Sequence, residues 1–515
     1  LHPSLKPTDQ KALGKGLPAS PGAVAGRIAF DPESAVQISR TGERVILVRR
    51  ETSPEDIVGM SAAVGILTAT GGMTSHAAVV GRGMGKACVV GCTALKVNQE
   101  ESYAELGGHR LNANDLVTIN GTTGEIFEGE LPTQAVSWTK QAQKFFAWAD
   151  ELSEMKVLAN ADTPEQASLA RELGAKGIGL CRTEHMFFDS LRLRHFREMI
   201  LAEEEEHRNR LAEKLQEHQS SDFRGILEAM KGLSVCVRLL DPPLHEFLPK
   251  AKDETEVNEI AEELQVKPNY LLERIAQLEE INPMLGHRGC RLGITRPEIY
   301  EMQVKALAQA MKENFKKGIK TYLKIMLPLV SEAKELKYLM TPLKICFEKS
   351  LSDLDSKLKK QILAHLKWGT MIELPRACLV ADEIAEDVDF FSFGTNDLTQ
   401  TSFGLSRDDS NKFLPDYFEK EILSRDPFES LDQKGVGQLI ALALKKGRSV
   451  KPKLDISVCG EHGGDPESIQ FFQTQGFDVV SCSPFRVPIA RLASARAALD
   501  LKKTKRRRTS KRKSK

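Results

Sequence analysis

The chain has 515 residues, with 72 Lys and Arg against 71 Asp and Glu and a formal charge of +1. That balance excludes a uniformly basic nucleic-acid binder and an acidic polymer, and no run of about 18 apolar residues exists to cross a membrane. The sum hides a split: residues 502–515 hold ten Lys and Arg and no acid, which leaves 62 against 71, or −9, for residues 1–501.

At about 150 residues per domain, the length predicts two to four domains, or one large barrel and a smaller domain. The nine cysteines are scattered, with no CxxC pair. They read as reduced thiols rather than a disulfide framework, so a cytoplasmic location is expected. Residue 1 is Leu, and no charged-then-apolar signal segment follows, so the chain is expected to be part of a longer one.

In chain order, residues 1–15 are polar and expected to be a linker. Residues 16–132 are rich in Gly, Val, Ile and Thr, with strand-like runs at Arg44–Val48 and Gly65–Leu67, and predict a compact domain. Within it, Gly71-Gly72-Met73-Thr74-Ser75-His76 follows a strand and precedes an apolar stretch. The glycines permit a tight turn, and Thr74 or Ser75 can cap a helix beginning near His76. A helix N-terminus suits an anion, so His76 is either an ordinary turn histidine or a nucleophile for phosphoryl transfer. The nearby Gly81-Arg82-Gly83-Met84-Gly85-Lys86 lacks P-loop spacing. Residues 133–155 have helical spacing and predict a connecting helix.

Residues 156–499 alternate short β-like runs with helical stretches. The runs are Lys156–Ala161, Gly177–Leu180, Ser234–Leu239, a weaker one near Met284, Tyr322–Leu327, Gly369–Glu373, Phe390–Phe393 and Asp455–Val458. Eight such units predict a (β/α)8 barrel, whose active sites lie at the C-terminal strand ends. Polar residues gather at that phase. They are Arg182 and Glu184, Arg238 and Asp241, His287, Arg288 and Arg291, Glu373, then Ser392, Gly394, Thr395, Asn396 and Asp397, and finally Cys459 to Gly464. Arginine forks bind phosphate and carboxylate, and two carboxylates with substrate oxygens suit Mg²⁺. The ligand is therefore expected to be small, multiply anionic and accompanied by a hard cation. Cys459 reads either as a buried core thiol or as an acid/base facing that ligand. Residues 500–515 are basic and of low complexity, and disorder is expected there.

The words around His76 (72–80), Gly179–Phe187, Met284–Gly289, Phe391–Gln400 and Cys459–Pro466 together resemble the phosphoenolpyruvate-utilising enzymes over residues 16–497. The resemblance implies a swivelling phosphohistidine β/α domain followed by a (β/α)8 TIM barrel of the phosphoenolpyruvate/pyruvate type. It implies that His76 carries the phosphoryl group and that Arg182 and Arg238 bind the phosphate of phosphoenolpyruvate. Glu373 and Asp397 would hold Mg²⁺, Gly394, Thr395 and Asn396 would line the substrate, and Cys459 would exchange a proton with the enolate carbon. Within the family, the branch that makes phosphoenolpyruvate, AMP and diphosphate from ATP, pyruvate and phosphate fits best. Phosphoenolpyruvate synthase and enzyme I of the sugar phosphotransferase system fit less well. ATP and phosphate would act through an N-terminal domain outside this sequence, and a homodimer is implied. In plant members, phosphorylation of a Thr two residues before the histidine switches the enzyme off, which makes Thr74 a candidate regulatory position. Two positions depart from the pattern: Gly81 stands where Ala is expected, and Lys324 where Glu is expected.

Two other classes fit less well. A truncated, non-catalytic binding protein is disfavoured by the intact set of site residues. Nucleic-acid binding has only the basic segment in its favour, and a solvated segment is the simpler expectation there.

Overall fold

The computed structural model describes residues 3–53, 56–72, 75–99, 101–134, 138–410 and 413–513. They form two compact units that part between Gln143 and Lys144, inside the helix Lys140–Leu152.

The first unit is built on an eight-stranded mixed sheet. Its central strands Ala23–Ala29, Val45–Arg49, Gly65–Thr68 and Ala87–Val90 run parallel to one another. Side chains alternate across a strand, so an apolar run such as Val45-Ile46-Leu47-Val48 feeds two cores at once. Ile46 and Val48 pack with Leu106 and Leu111 of a three-stranded sheet (Lys96–Asn98, Tyr103–Leu106, His109–Asn112). Val45 and Leu47 pack with Ala35, Met60, Ala77 and Ala78 of the helices Pro32–Arg40, Ile57–Ala62 and His76–Gly83. The segment expected to be a linker contributes two short strands: Ser4–Leu5 pairs with Thr133–Gln134, and Gly14–Lys15 pairs with Glu125 and Ile126. Gly81 lies in the helix that starts at His76, where an added Cβ would come within 3.1 Å of Ile66. The absent methyl thus lets helix and strand approach.

The second unit is a closed barrel of eight parallel strands with helices between them. The strands are Lys156–Asn160, Gly177–Arg182, Ser234–Arg238, Tyr322–Leu327, Leu366–Ile372, Phe390–Phe393, Asp455–Val458 and Val479–Cys482. The expected count of eight is met, but with one wrong member. No strand forms near Met284: Pro283 removes a donor, and the two apolar residues Met284-Leu285 run straight into Gly-His-Arg-Gly. That stretch belongs instead to a long helical connection between the third and fourth strands. The eighth strand is Val479–Cys482, and it closes the barrel by pairing with the first, Lys156 opposite Val479. Consequently the strand before Cys459 is the seventh, and the one before Asn396 the sixth.

Lys324, unexpected on the fourth strand, is held by Asp455 on the seventh at 2.6 Å. The final helix runs Val487–Lys513, so the backbone continues as helix through most of the stretch where disorder was expected. Leu, Lys, Arg and Ala are strong helix formers, no Gly or Pro follows Pro488, and cations suit a helix C-terminal end. Arg491 anchors this helix, bonding Asp150 at 2.8 and 3.0 Å and the Leu173 carbonyl at 3.1 Å.

Candidate functional site

In the first unit, the strand Gly65–Thr68 ends in a turn through Gly71, whose φ of +102° is one that L side chains rarely adopt. The helix His76–Gly83 follows, with no acidic residue in its first turn. The Ser75 hydroxyl is buried and has no hydrogen-bond partner among the described residues. A positive helix end with an unspent hydroxyl suits an incoming anion. The backbone of His76 is therefore placed at the helix start; its side chain, and all of Thr74, lie outside the described residues. The glycines that follow belong to the end of this helix and a turn, not to a phosphate loop.

In the second unit, a cavity of about 600 Å³ opens at the C-terminal ends of the barrel strands. Arg182, Arg238, Glu373, Gly394, Asn396, Asp397 and Cys459 all line it. Parallel strands explain the convergence, since each one ends at the same rim. Arg238 closes the third strand and is buried; it pairs with Glu184 from the second βα loop and with Asp241 at 2.7 Å. Arg288, from the long connection, reaches Asp241 at 2.5 Å and Asp397 at 3.3 Å. Burial alone would raise the Asp241 carboxyl, but Arg238 and Arg288 together hold it below the usual carboxylate range. The Nε–H of Arg238 and one Glu184 oxygen remain buried without a partner among the described residues. Such groups are costly unless a ligand completes them. Arg182 is anchored by Asp162 from the end of the first strand. Its backbone N–H donates to Asp162 at 2.6 Å, and its guanidinium lies 3.6 Å away.

Glu373 follows the fifth strand and is fully buried. One of its oxygens accepts from the Leu329 N–H at 2.6 Å. Burial, followed by the nearby Asp397 and Asp241 carboxylates, pushes it well above the ordinary Glu value. A Cβ on Gly394 would fall within 2.8 Å of Glu373, so only glycine lets the sixth strand end this close to it. Gly394 precedes the helix Thr395–Phe403. Thr395 is buried and donates its hydroxyl to His462 at 2.8 Å, because His462 Nε2 must itself donate to the Pro427 carbonyl at 2.9 Å. The Asn396 carboxamide oxygen accepts from the Glu461 N–H at 3.2 Å. These contacts lock the sixth and seventh strand ends together. Cys459 is buried at the seventh strand end, with its carbonyl held by Asn160 at 3.1 Å. Burial pushes its thiol up to about 11, with the Ser392 hydroxyl opposing and the Glu373 carboxylate adding.

The barrel brings Arg182, Arg238, Glu373, Gly394, Asn396, Asp397 and Cys459 to one cavity, while Thr395 sits behind Asn396 as a brace. His287 and Arg291 do not line the cavity: His287 bonds Thr295, and Arg291 bonds the carbonyls of Leu285 and Gly286. Sequence reasoning missed Asp162 and His185, which are paired at 2.8 Å. The signal was present in Asp162, placed just past the first strand at the same phase as the other polar ends.

These features define a (β/α)8 barrel with arginines and carboxylates at its mouth, and a mixed-sheet domain with a histidine at a helix start. Residues 137–499 match the family model described as the PEP-binding domain of PEP-utilising enzymes, and residues 41–124 match that of the mobile domain. The chain belongs to the PEP-utilising enzymes. Among curated relatives, it is 52% identical over 499 residues to the chloroplastic pyruvate, phosphate dikinase of Mesembryanthemum crystallinum, covering 96% of this chain and 52% of that one. It is 50% identical over 508 residues to chloroplastic pyruvate, phosphate dikinase 1 of Arabidopsis thaliana (97% and 52%). It is 49% identical over 508 residues to the pyruvate, phosphate dikinase of Clostridium symbiosum (98% and 57%). The chain spans about half the length of the curated relatives it matches. Among the described residues, no helix is long and apolar enough to cross a membrane.

Proposed function

We propose that this chain performs the pyruvate half of a pyruvate, phosphate dikinase reaction: phosphoryl transfer between His76 and pyruvate/phosphoenolpyruvate. The whole reaction would be ATP + pyruvate + phosphate giving AMP, phosphoenolpyruvate and diphosphate, with ATP and phosphate handled by a domain outside these 515 residues. The observation that carries the reading is the convergence of Arg182, Arg238, Glu373, Asp397 and Cys459 on one cavity. The names of the relatives favour this branch over phosphoenolpyruvate synthase or enzyme I.

In this reading Arg238 and Arg182 bind the phosphate, and the unpartnered Arg238 Nε–H is one donor waiting for it. Asn396 and Gly394 border the carboxylate end of the substrate, with Thr395 and His462 fixing Asn396 from behind. The two carboxylates Glu373 and Asp397 fit Mg²⁺: their mutual repulsion in a buried site is what a cation relieves. When bound, Mg²⁺ supplies charge to the enolate and phosphoryl oxygens. Cys459 stays protonated at neutral pH and carries no charge to oppose those anions. Loss of the phosphoryl group from phosphoenolpyruvate leaves an enolate; its C3 takes the thiol proton and forms pyruvate, leaving a thiolate that is reprotonated before the next turnover.

The test is incubation with ³²P-phosphoenolpyruvate and Mg²⁺. Acid-labile labelling of the protein with release of pyruvate is expected, and equal labelling of His76→Ala would refute the assignment. Further readings are proposals of the same kind: a homodimer, a cytoplasmic location and regulation at Thr74. The first and last rest on the family, and the location rests on the scattered free cysteines. Sedimentation, fractionation and phosphopeptide mapping test them in turn.

A further inference from the structure

The opposite, N-terminal end of the barrel holds a second cavity, larger than the first at about 900 Å³. Its lining includes six cations (Lys156, Lys176, Lys324, Lys367, Arg448 and Lys453) against three acids (Glu154, Asp455 and Asp478). The acids are already engaged. Asp455 is shared by Lys324 at 2.6 Å and Lys367 at 3.5 Å, Asp478 pairs with Arg448 at 3.1 Å, and Glu154 meets Lys502 at 3.4 Å. Lys156 and Lys453 have no ion-pair partner among the described residues. A concave, low-dielectric wall with surplus positive charge concentrates anions.

The same cavity holds an aromatic platform. Tyr322 opens the fourth strand, is 50% exposed, and stacks on His365 with ring centroids 4.6 Å apart and planes at 23°. His365 is fixed from another side by the edge of Phe315 at 5.2 Å, and its Nδ1 lies 2.8 Å from the Gln361 carbonyl oxygen. The pair is thus pre-positioned, which lowers the ordering cost of binding. Inorganic anions need no such platform, whereas a planar base stacks on one. The volume lies within the range of about 300–1,000 Å³ typical of small-molecule sites.

We propose that this cavity is a binding site for a phosphate-bearing aromatic ligand, the chemistry of a nucleoside phosphate. Lys156 and Lys453 hold the phosphate, and Tyr322 with His365 takes the base. The site is separate from the strand ends that carry Arg238 and Cys459, and it does not depend on the reaction assigned to them.

The experiment is calorimetric titration of the whole chain with AMP and, separately, with inorganic diphosphate, at low and high salt. AMP is expected to bind, more weakly at high salt. Lys156→Gln and Lys453→Gln are each expected to weaken it about tenfold, as the loss of one charge-assisted contact does. Tyr322→Ala should weaken AMP by a similar factor and leave diphosphate unchanged. Absence of AMP binding in the unsubstituted chain overturns the proposal. So does AMP binding that falls with Arg182→Gln but not with Lys453→Gln, because that would place it at the other mouth. Equal affinity for diphosphate and AMP, with no effect of Tyr322→Ala, overturns the aromatic class.

Discussion

At the C-terminal end of the barrel, Arg238, Arg288, Asp241 and Glu373 are buried, and both arginines pair with Asp241. At the N-terminal end, Lys156, Lys367 and Lys453 are exposed, and Arg448 and Asp478 are half-exposed partners. Both ends gather cations and carboxylates, but burial changes what they do. A buried charge must be matched by another, so the C-terminal cluster fixes one geometry and leaves the Arg238 Nε–H unspent for a ligand. An exposed charge keeps its water, so the N-terminal set sets a field rather than a shape.

Removing one charge from each end gives the sharpest break of this contrast. Asp241→Ala removes the buried carboxylate that Arg238 and Arg288 share, leaving Glu184 and Asp397 as their remaining partners, and is expected to cost about 3–5 kcal/mol of stability. Arg448→Ala should cost about 1 kcal/mol or less, because its pair with Asp478 is half-exposed. Urea unfolding midpoints compare the two, and equal losses would erase the distinction. Next in size, Cys459→Ala should slow exchange of the pyruvate methyl protons with solvent by about 10²–10⁴-fold. It should leave the stability difference between the ends untouched, and NMR of pyruvate in D₂O measures the exchange. The same thiol gives a pH dependence. It holds its proton until pH approaches about 11, so its alkylation by iodoacetamide should remain slow at pH 8 and rise only as pH climbs toward that value.

The smallest effect concerns His185 at the rim. Its hydrogen bond to Asp162, outweighing burial, raises it above the ordinary histidine value. A raised histidine adds stability that is fully present below about 6.5, its unfolded value, and is lost as pH rises through its folded value. Asp162→Asn should move the His185 titration, followed by NMR, downward. An unchanged midpoint would show that the pair does not form.

Much of this was legible because a barrel repeats one rule. Once strands such as Tyr322–Leu327 and Phe390–Phe393 are recognised, polar residues at their ends must converge, and Arg238, Glu373, Asp397 and Cys459 do. What was illegible depended on distance rather than pattern. Met284-Leu285 has the apolar content of a strand but not its length, and Pro283 lacks the N–H that a ladder needs. Val479–Cys482 is four residues long and sits between two helices, so its strand character comes from pairing with Lys156–Asn160. Asp241 could be noted three residues past Arg238, but its bridging of two arginines needed Arg288, 47 residues away, to fold back. The basic segment after Lys502 reads as disordered from charge alone, whereas its backbone extends a helix started by the apolar residues before it.

The pairing of Lys156 with Val479 has a consequence in time. A chain emerging from the ribosome makes the first barrel strand more than 300 residues before the strand that must lie beside it. Until Val479–Cys482 appears, Lys156–Asn160 and Asp455–Val458 are both open sheet edges, able to recruit strands from other chains. Bringing such distant segments together is slow. A chain cut just before Val479 would keep all seven residues assigned to the cavity rim, Arg182 to Cys459, yet lose the seam that holds them in a ring.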